Sequence, residues 1–342
     1  MRIQSTVGGA AFVLAAVTLA AGGRAQTPST ATAATFFGDI RPILQAHCAI
    51  CHSSGGPSPM PLVSYDDVLP WAQKIKETSL SRKMPIWHAA RGYGAFTNDP
   101  TLTPYELQRI AAWADGTDSD RRGAGVTAGA VGAGSVSASP AEMVPGDASM
   151  WLPVRSGWIT GWTFTPGDPL ITSATFTSDD GSPIGVWVAG DSATRLPPGS
   201  AIRVMSPVHV EFRRRERTSY ESSFTPRESS LRFSRLPPPT DPQLPATPVR
   251  RVHIERVACG GTIGPADASL IGVQPLLAAG ASAQVTVERI AGAQPVLLGW
   301  FRGFDPNYPR IYWLDRPVDF VANARLTSDA PCELDLVLSS RR

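Results

Sequence analysis

Two cysteines and a histidine lie within five consecutive positions, in the segment CAICH from Cys48 to His52. In a C-x-x-C-H arrangement the two thiols can add to the two vinyl groups of haem, which places the adjoining imidazole under the iron as an axial ligand. The motif therefore predicts one covalent haem c, with Cys48 and Cys51 as thioether anchors and His52 as the proximal ligand.

Three other interpretations of the motif are weaker. A redox dithiol follows a strand and precedes a helix in a parallel βαβ unit, and the sequence around Cys48 has no such pattern. A zinc site needs a second Cys/His pair, which is missing at suitable spacing. A disulfide loop with a solvated histidine remains the structural alternative.

The sixth iron ligand must reach the opposite haem face, and the candidates are Met60, Met84 and His88. Met60 follows His52 by only eight residues through a Gly/Pro loop, which is too short to pass around the porphyrin edge. Met84 lies 32 residues beyond His52 in a loop that Pro85 stiffens. We predict Met84 as the distal ligand, with His88 or an open site as alternatives.

Three short helices are expected to hold these residues. Apolar spacing predicts the first across Phe36–Leu44, just before the motif. Ser64 and Asp67 form an N-cap pair ahead of the second. Thr103 and Glu106 form a capping box at the start of the third. Three helices around one haem would make a small all-α cytochrome c domain.

Residues 37–115 carry the elements CAICH, PLVSYDDVLPWAQKIKE, RKMPIWHAARGYGAFTND and LTPYELQRIAAWAD. This segment resembles the monohaem cytochrome c domains fused to copper type II ascorbate-dependent monooxygenase-like proteins of environmental bacteria. The resemblance implies that the methionine of R-x-M-P-x-W, here Met84, is the distal ligand. We assign residues 35–116 to this haem domain.

The N-terminus predicts export. Arg2 precedes a short apolar run over Gly8–Gly22, and the small residues Gly23 and Ala25 suit cleavage after Ala25. We therefore predict a signal peptide at residues 1–25, a periplasmic protein, and no transmembrane helix after cleavage. Cysteines tend to pair in such an oxidising compartment, so we predict a disulfide between Cys259 and Cys332, which both flank strands.

Residues 117–149 are rich in Gly, Ala and Ser without periodicity, which predicts a flexible linker between independently moving domains. Residues 150–342 alternate apolar and polar side chains in short runs divided by Gly, Pro and Asp turns. This alternating pattern predicts an antiparallel β-sandwich. The fold class is thus a multidomain α + β protein.

The second half also resembles the C-terminal half of the copper monooxygenases related to peptidylglycine and dopamine hydroxylases, through WITGWTFTPGD, RLPPGSAIRVMSPVHVEF and PVLLGWFRGFDPNYPRIYWLD. The resemblance implies a jelly-roll-like sandwich. Where active members carry a His-Tyr pair and a Pro-His-x-His element, this chain has Arg213 and Arg214, and the segment Pro275–Ala279. After the linker only His209 and His253 remain, so we expect no copper.

A formal charge of +2 gives no reason to expect nucleic acid as a partner. A haem iron with two protein ligands has no open position for substrate, which favours one-electron transfer over catalysis. We expect a cytochrome whose sandwich docks it on a redox partner, such as a membrane-bound respiratory or photosynthetic electron-transfer complex. The arginine-rich run at residues 212–235 is either a solvated edge strand or a docking face for an acidic partner or anionic lipid headgroups. The alternatives are a haem-coupled copper-dependent monooxygenase and a structural subunit with a vestigial haem.

Overall fold

The structure is a computed structural model that describes residues 34–53, 56–117, 121–123, 142–144, 149–191, 193–218, 227–236, 250–263, 268–288, 294–319 and 324–340. The predicted signal peptide lies outside these residues, as does most of the predicted linker. Among the described residues, no helix is long and apolar enough to cross a membrane.

The helical region, residues 34–123, contains the predicted helices with two local departures. A π-helical turn at Phe36–Ile40 leads into α1 (Arg41–His47), with Pro42 in the first turn, where its missing N–H costs nothing. The second predicted helix is divided into α2 (Tyr65–Val68), a 3₁₀ turn at Leu69–Trp71 and α3 (Ala72–Leu80). Pro70 explains the division, because it cannot donate within a continuous helix.

Both predicted capping boxes are confirmed. The Ser64 hydroxyl accepts a hydrogen bond from the Asp67 backbone N–H, and the Asp67 carboxylate accepts one in return from the Ser64 N–H. Thr103 and Glu106 make the same reciprocal pair ahead of α4 (Pro104–Asp115). These local bonds fix the starts of α2 and α4.

The helices enclose a hydrophobic core of their own. Phe36, Ile40, Leu44, Ile110 and Trp113 are each at most 1% exposed. Cys48 and Met60 pack against this core from its edge. The CAICH motif therefore lies at the border of the helical core.

The β-region, residues 142–340, consists of short strands. They are β1 (Glu142–Val144), β2 (Met150–Leu152), β3 (Gly157–Thr165), β4 (Ile171–Ser178), β5 (Pro183–Val188), β6 (Thr194–Arg195), β7 (Ser200–Val204), β8 (Val208–Arg214), β9 (Ser229–Arg235), β10 (Arg250–Ala258), β11 (Ala268–Pro275), β12 (Ala283–Glu288), β13 (Val296–Phe301), β14 (Tyr312–Asp319), β15 (Arg325–Ser328) and β16 (Glu333–Ser340).

The strands form three sheets. The largest has nine strands in the order β1-β9-β3-β7-β10-β16-β11-β14, with β6 paired to β3. A four-stranded sheet has the order β2-β8-β4-β5, and a three-stranded sheet has the order β13-β12-β15. All strand pairs are antiparallel except β7 with β10, so the prediction of a wholly antiparallel sheet was wrong at this one pair.

The two smaller sheets cover opposite faces of the large one. Leu336 and Leu338 of β16 belong to the core shared with the three-stranded sheet, whereas Val337 belongs to the core shared with the four-stranded sheet. Successive side chains of a strand point to opposite faces. The β-region is therefore a sandwich of three layers around β10, β11 and β16, instead of the expected two.

The helical region and the β-region are in direct contact. Residues 87–98 follow α3 and run along the β-region, where the Ala90 N–H donates to the Trp300 carbonyl at 2.7 Å and the Arg302 N–H donates to the His88 carbonyl at 2.8 Å. The Asn98 side chain donates to the Ile311 carbonyl at 2.8 Å. These hydrogen bonds join the two regions directly and do not involve the linker. They are contrary to the prediction that the two domains move independently.

The predicted disulfide is confirmed. Cys259 follows β10 and Cys332 precedes β16, and the two are bonded with their Cα atoms 5.2 Å apart. The Cys259 N–H also donates to the Cys332 carbonyl at 2.8 Å. The bond therefore fastens the ends of two adjacent strands.

Candidate functional site

The motif forms a tight turn directly after α1. The Cys48 N–H donates to the Leu44 carbonyl at 2.8 Å, which continues the helix by one bond. The N–H groups of Cys51 and His52 then both donate to the Cys48 carbonyl, at 3.1 and 2.9 Å. This turn makes the two cysteines and the histidine one compact unit.

His52 is oriented by its own loop. Its Nδ1 lies 2.9 Å from the Met60 carbonyl oxygen, so Nδ1 carries the proton and donates. Burial lowers the pKa of His52. The hydrogen bond to the Met60 carbonyl raises the pKa and the Arg215 charge lowers it, so that it is lowered overall. The imidazole is therefore neutral at pH 7, and Nε2 makes no hydrogen bond to a described residue, as an iron ligand requires.

The two motif cysteines are free thiols and are not joined to each other. Burial raises the pKa of Cys48 to about 12 and that of Cys51 to about 11. At Cys51 the Arg310 charge opposes this rise and the Asp191 charge adds to it. Both sulfurs are thus protonated at neutral pH and unpaired.

His47, next to the motif, braces α1 against α4. Its Nδ1 lies 2.9 Å from the Pro100 carbonyl and its Nε2 lies 3.0 Å from a carboxylate oxygen of Glu106. Burial raises the pKa of Glu106, but hydrogen bonds from Thr103 and His47 outweigh it, so the pKa is lowered overall. The sequence analysis missed this contact, because it joins residues 59 positions apart.

The β-region forms one wall of the motif, which the sequence did not indicate. A Cβ atom added to Gly190 would lie 2.6 Å from the Cys51 sulfur, so that sulfur rests on the glycine backbone. Beside Gly190, Asp191 forms an ion pair with Arg310. Arg215, which directly follows β8, donates to the Pro57 carbonyl at 3.0 Å. The sandwich thus contacts the motif and its following loop.

Met84 lies in the loop after α3 and is 41% exposed. It lines a cavity of about 690 Å³ together with Trp87, Leu107 and Arg302. Cys48, Cys51 and His52 are not among the residues that line this cavity. Leu107 also packs against the helical core, as Cys48 does.

His88, the alternative ligand, is held by the β-region. Its Nδ1 lies 3.3 Å from the Tyr312 hydroxyl, and its Nε2 accepts a hydrogen bond from the Asp305 N–H at 3.3 Å. Burial lowers the pKa of His88. With both ring nitrogens engaged, His88 is less available to iron than Met84, whose side chain has no such partner among the described residues.

The donor set fits a haem. Covalent haem attachment requires two unpaired thiols at C-x-x-C spacing and a neutral histidine, and the motif has both, with the histidine Nδ1 bonded to a carbonyl. The geometry of the motif is therefore compatible with a covalent haem, which stays a prediction.

The segments in which the resemblance places copper ligands come together. Arg213 lines a cavity of about 740 Å³ with Gln274, Leu276 and Leu277. The two remaining histidines lie elsewhere: His209 stacks on Trp151 with ring centroids 4.8 Å apart, and His253 lies on β10. In the described part of the chain, no three His, Cys, Asp or Glu side chains converge as a metal site.

Comparison with protein-family models and with curated protein sequences returns no match for this chain.

Proposed function

We propose that this protein is a periplasmic c-type cytochrome that transfers one electron at a time. Its helical region is then a small cytochrome c domain, as the resemblance implies. The observation that carries the proposal is the His52 geometry: Nδ1 donates to the Met60 carbonyl, Nε2 is left for iron, and the two preceding cysteines of the motif are free thiols.

A bound haem supplies a one-electron iron couple, and the chain determines its surroundings. Cys48 and Cys51 would hold the haem through thioether bonds, and the Met60 carbonyl holds the ring orientation and tautomer of His52. The helical core excludes water from one side of the site, and the Gly190 turn covers Cys51 from the other.

Metal analysis of protein exported with a haem-attachment system tests this proposal. We expect one iron and no stoichiometric copper per chain, with a reduced-minus-oxidised spectrum of a c-type haem. The C48A/C51A variant is the control and should lack covalent haem. Stoichiometric copper would instead support the haem-coupled monooxygenase, and absence of iron would contradict both.

A second part of the proposal assigns docking to one face of the β-region. The three-stranded sheet leaves part of the large sheet uncovered, and there Trp158 pairs across strands with Arg203. The Arg251 guanidinium lies 5.9 Å from the Trp158 ring centroid. Arg203, Arg232 and Arg251 form no ion pair with a described carboxylate. We call Trp158 and these three residues the arginine face.

The chemistry of the arginine face suits an acidic patch on a redox partner protein. The arginines project from strands of a large sheet, so they form a fixed array, and guanidinium groups bind carboxylates in pairs. Electrostatic steering of this kind mainly accelerates association and weakens with salt.

Binding of a polyglutamate peptide at low salt tests the docking assignment. We expect R203E/R251E to weaken binding at least tenfold, while R316E, at a side chain that is 94% exposed, serves as the control. Equal losses in the two variants would contradict the assignment. If R203E/R251E weakened binding to phosphatidylserine vesicles more than binding to polyglutamate, the arginine face would be assigned to a membrane surface instead.

A further inference from the structure

A buried ion pair of the β-region lies beside the motif. Arg310, just before β14, donates to the carboxylate of Asp191, in the turn after β5. Their side chains are 12% and 19% exposed. The same carboxylate accepts the Val188 N–H at 3.2 Å, and the Trp187 indole N–H donates to the Asp191 carbonyl at 3.1 Å. The pair is therefore held rigidly in place.

Gly190 brings this pair to Cys51. The backbone φ of Gly190 is +94°, a conformation that favours glycine, and the absent Cβ leaves room for the sulfur. Both charges of the pair act on the Cys51 thiol, in opposite directions. The Arg310 charge also acts on His88 and Tyr312, which lie at the contact between the two regions.

We infer that the Asp191–Arg310 pair places two opposing charges of the β-region beside the haem held by Cys48, Cys51 and His52, and that the balance between these charges tunes its reduction potential. The inference rests on the proposed function. Reduction of ferric to ferrous iron adds one negative charge, which a nearby buried cation favours and a nearby buried carboxylate opposes. In the intact pair the two effects largely offset each other.

Removal of either partner leaves the other charge uncompensated, so the two variants should shift the potential in opposite directions. We expect D191N to favour the ferrous form about tenfold and R310M to favour the ferric form about tenfold. For one electron a tenfold change is 59 mV. R310K keeps the charge and should remain closer to the unchanged protein than R310M.

The control is R256M, which breaks the Arg256–Asp335 ion pair of 2.8 Å in the same region. Neither charge of that pair is among those that act on Cys51 or His52, so the ferric/ferrous equilibrium of R256M should stay within twofold of that of the unchanged protein. A merely structural role for Asp191–Arg310 would give shifts of one sign, or none, and that result would overturn the inference.

A lone buried charge can prevent folding, so the D191N/R310M double variant is the second test. It removes both charges, and its potential should fall between those of the single variants. Potentiometric titration of full-length protein provides the readout, with circular dichroism as a check on folding. A potential of the double variant outside that interval would overturn the inference alone, whereas a chain without covalent haem would overturn the proposed function as well.

Discussion

Substitution of Gly190 by alanine tests the contact between the β-region and the motif. Gly181 provides a matched control, because its φ of +81° resembles the +94° of Gly190 but nothing lies within 4 Å of the position that its Cβ would occupy. Both substitutions place an L-residue in the left-handed region. Only the change at Gly190 also meets the Cys51 sulfur.

The expected costs follow from these geometries. Left-handed backbone costs an alanine about 1–2 kcal/mol in either variant. At Gly190 the new Cβ would lie 2.6 Å from the Cys51 sulfur, so a neighbour must move by about 1 Å to reach ordinary contact distance. Overpacking of this kind adds about 1–3 kcal/mol. G190A should therefore lose more stability than G181A by that amount.

A double-mutant cycle isolates the sulfur contact. Urea unfolding is measured on the haem-free full chain for the unchanged protein, G190A, C51A and G190A/C51A, so that the sulfur is a thiol wherever it is present. We expect a coupling of about 1–3 kcal/mol, because C51A removes the atom that the new methyl group meets. Coupling below about 0.5 kcal/mol would refute the placement of Cys51 against Gly190.

Three further predictions concern the cysteines and the sixth ligand. Replacement of Cys259 and Cys332 by alanine should lower the free energy of unfolding by about 4 kcal/mol, since the bond closes a loop of 73 residues; an unchanged urea midpoint would contradict this. In the haem-free chain the folded state keeps the protons of the motif thiols, whereas the unfolded chain releases them above the usual pKa of 9.0. The free energy of unfolding should therefore fall between pH 9 and about 11. The free energy of unfolding of a variant that lacks both motif cysteines should fall less over this range, and equal losses would contradict the prediction. M84L should abolish the far-red band of methionine-ligated ferric haem, whereas M205L, at an equally exposed methionine, should keep it; a band that survives M84L would exclude Met84.

The features that could be predicted from the sequence are those that depend on neighbouring residues. The motif requires five positions, and each capping box requires four, so their residue types suffice to indicate them. The disulfide was predicted from the oxidising compartment and from the two cysteines that remain once Cys48 and Cys51 are assigned to the motif. These predictions did not depend on how distant segments pack.

Apart from the disulfide, features that arise from contacts between distant segments could not be predicted. The wall formed by Gly190, Asp191 and Arg310 joins residues that are up to 119 positions apart, and no pattern in either segment indicates the motif. The three-layer sandwich was missed because a strand buried on both faces, such as β16, lacks the alternation that identifies a two-layer sandwich. Pairing of β7 with β10 depends on a crossover that local spacing does not encode.

The most direct test of the account is whether a haem is covalently attached at Cys48 and Cys51. Exported protein is denatured, extracted with acid acetone and weighed by intact-mass spectrometry. The account predicts that the colour stays with the polypeptide and that the mature chain is heavier by one haem, an increment that C48A/C51A lacks. Colour that extracts into the solvent, or a chain at its bare polypeptide mass, would contradict it.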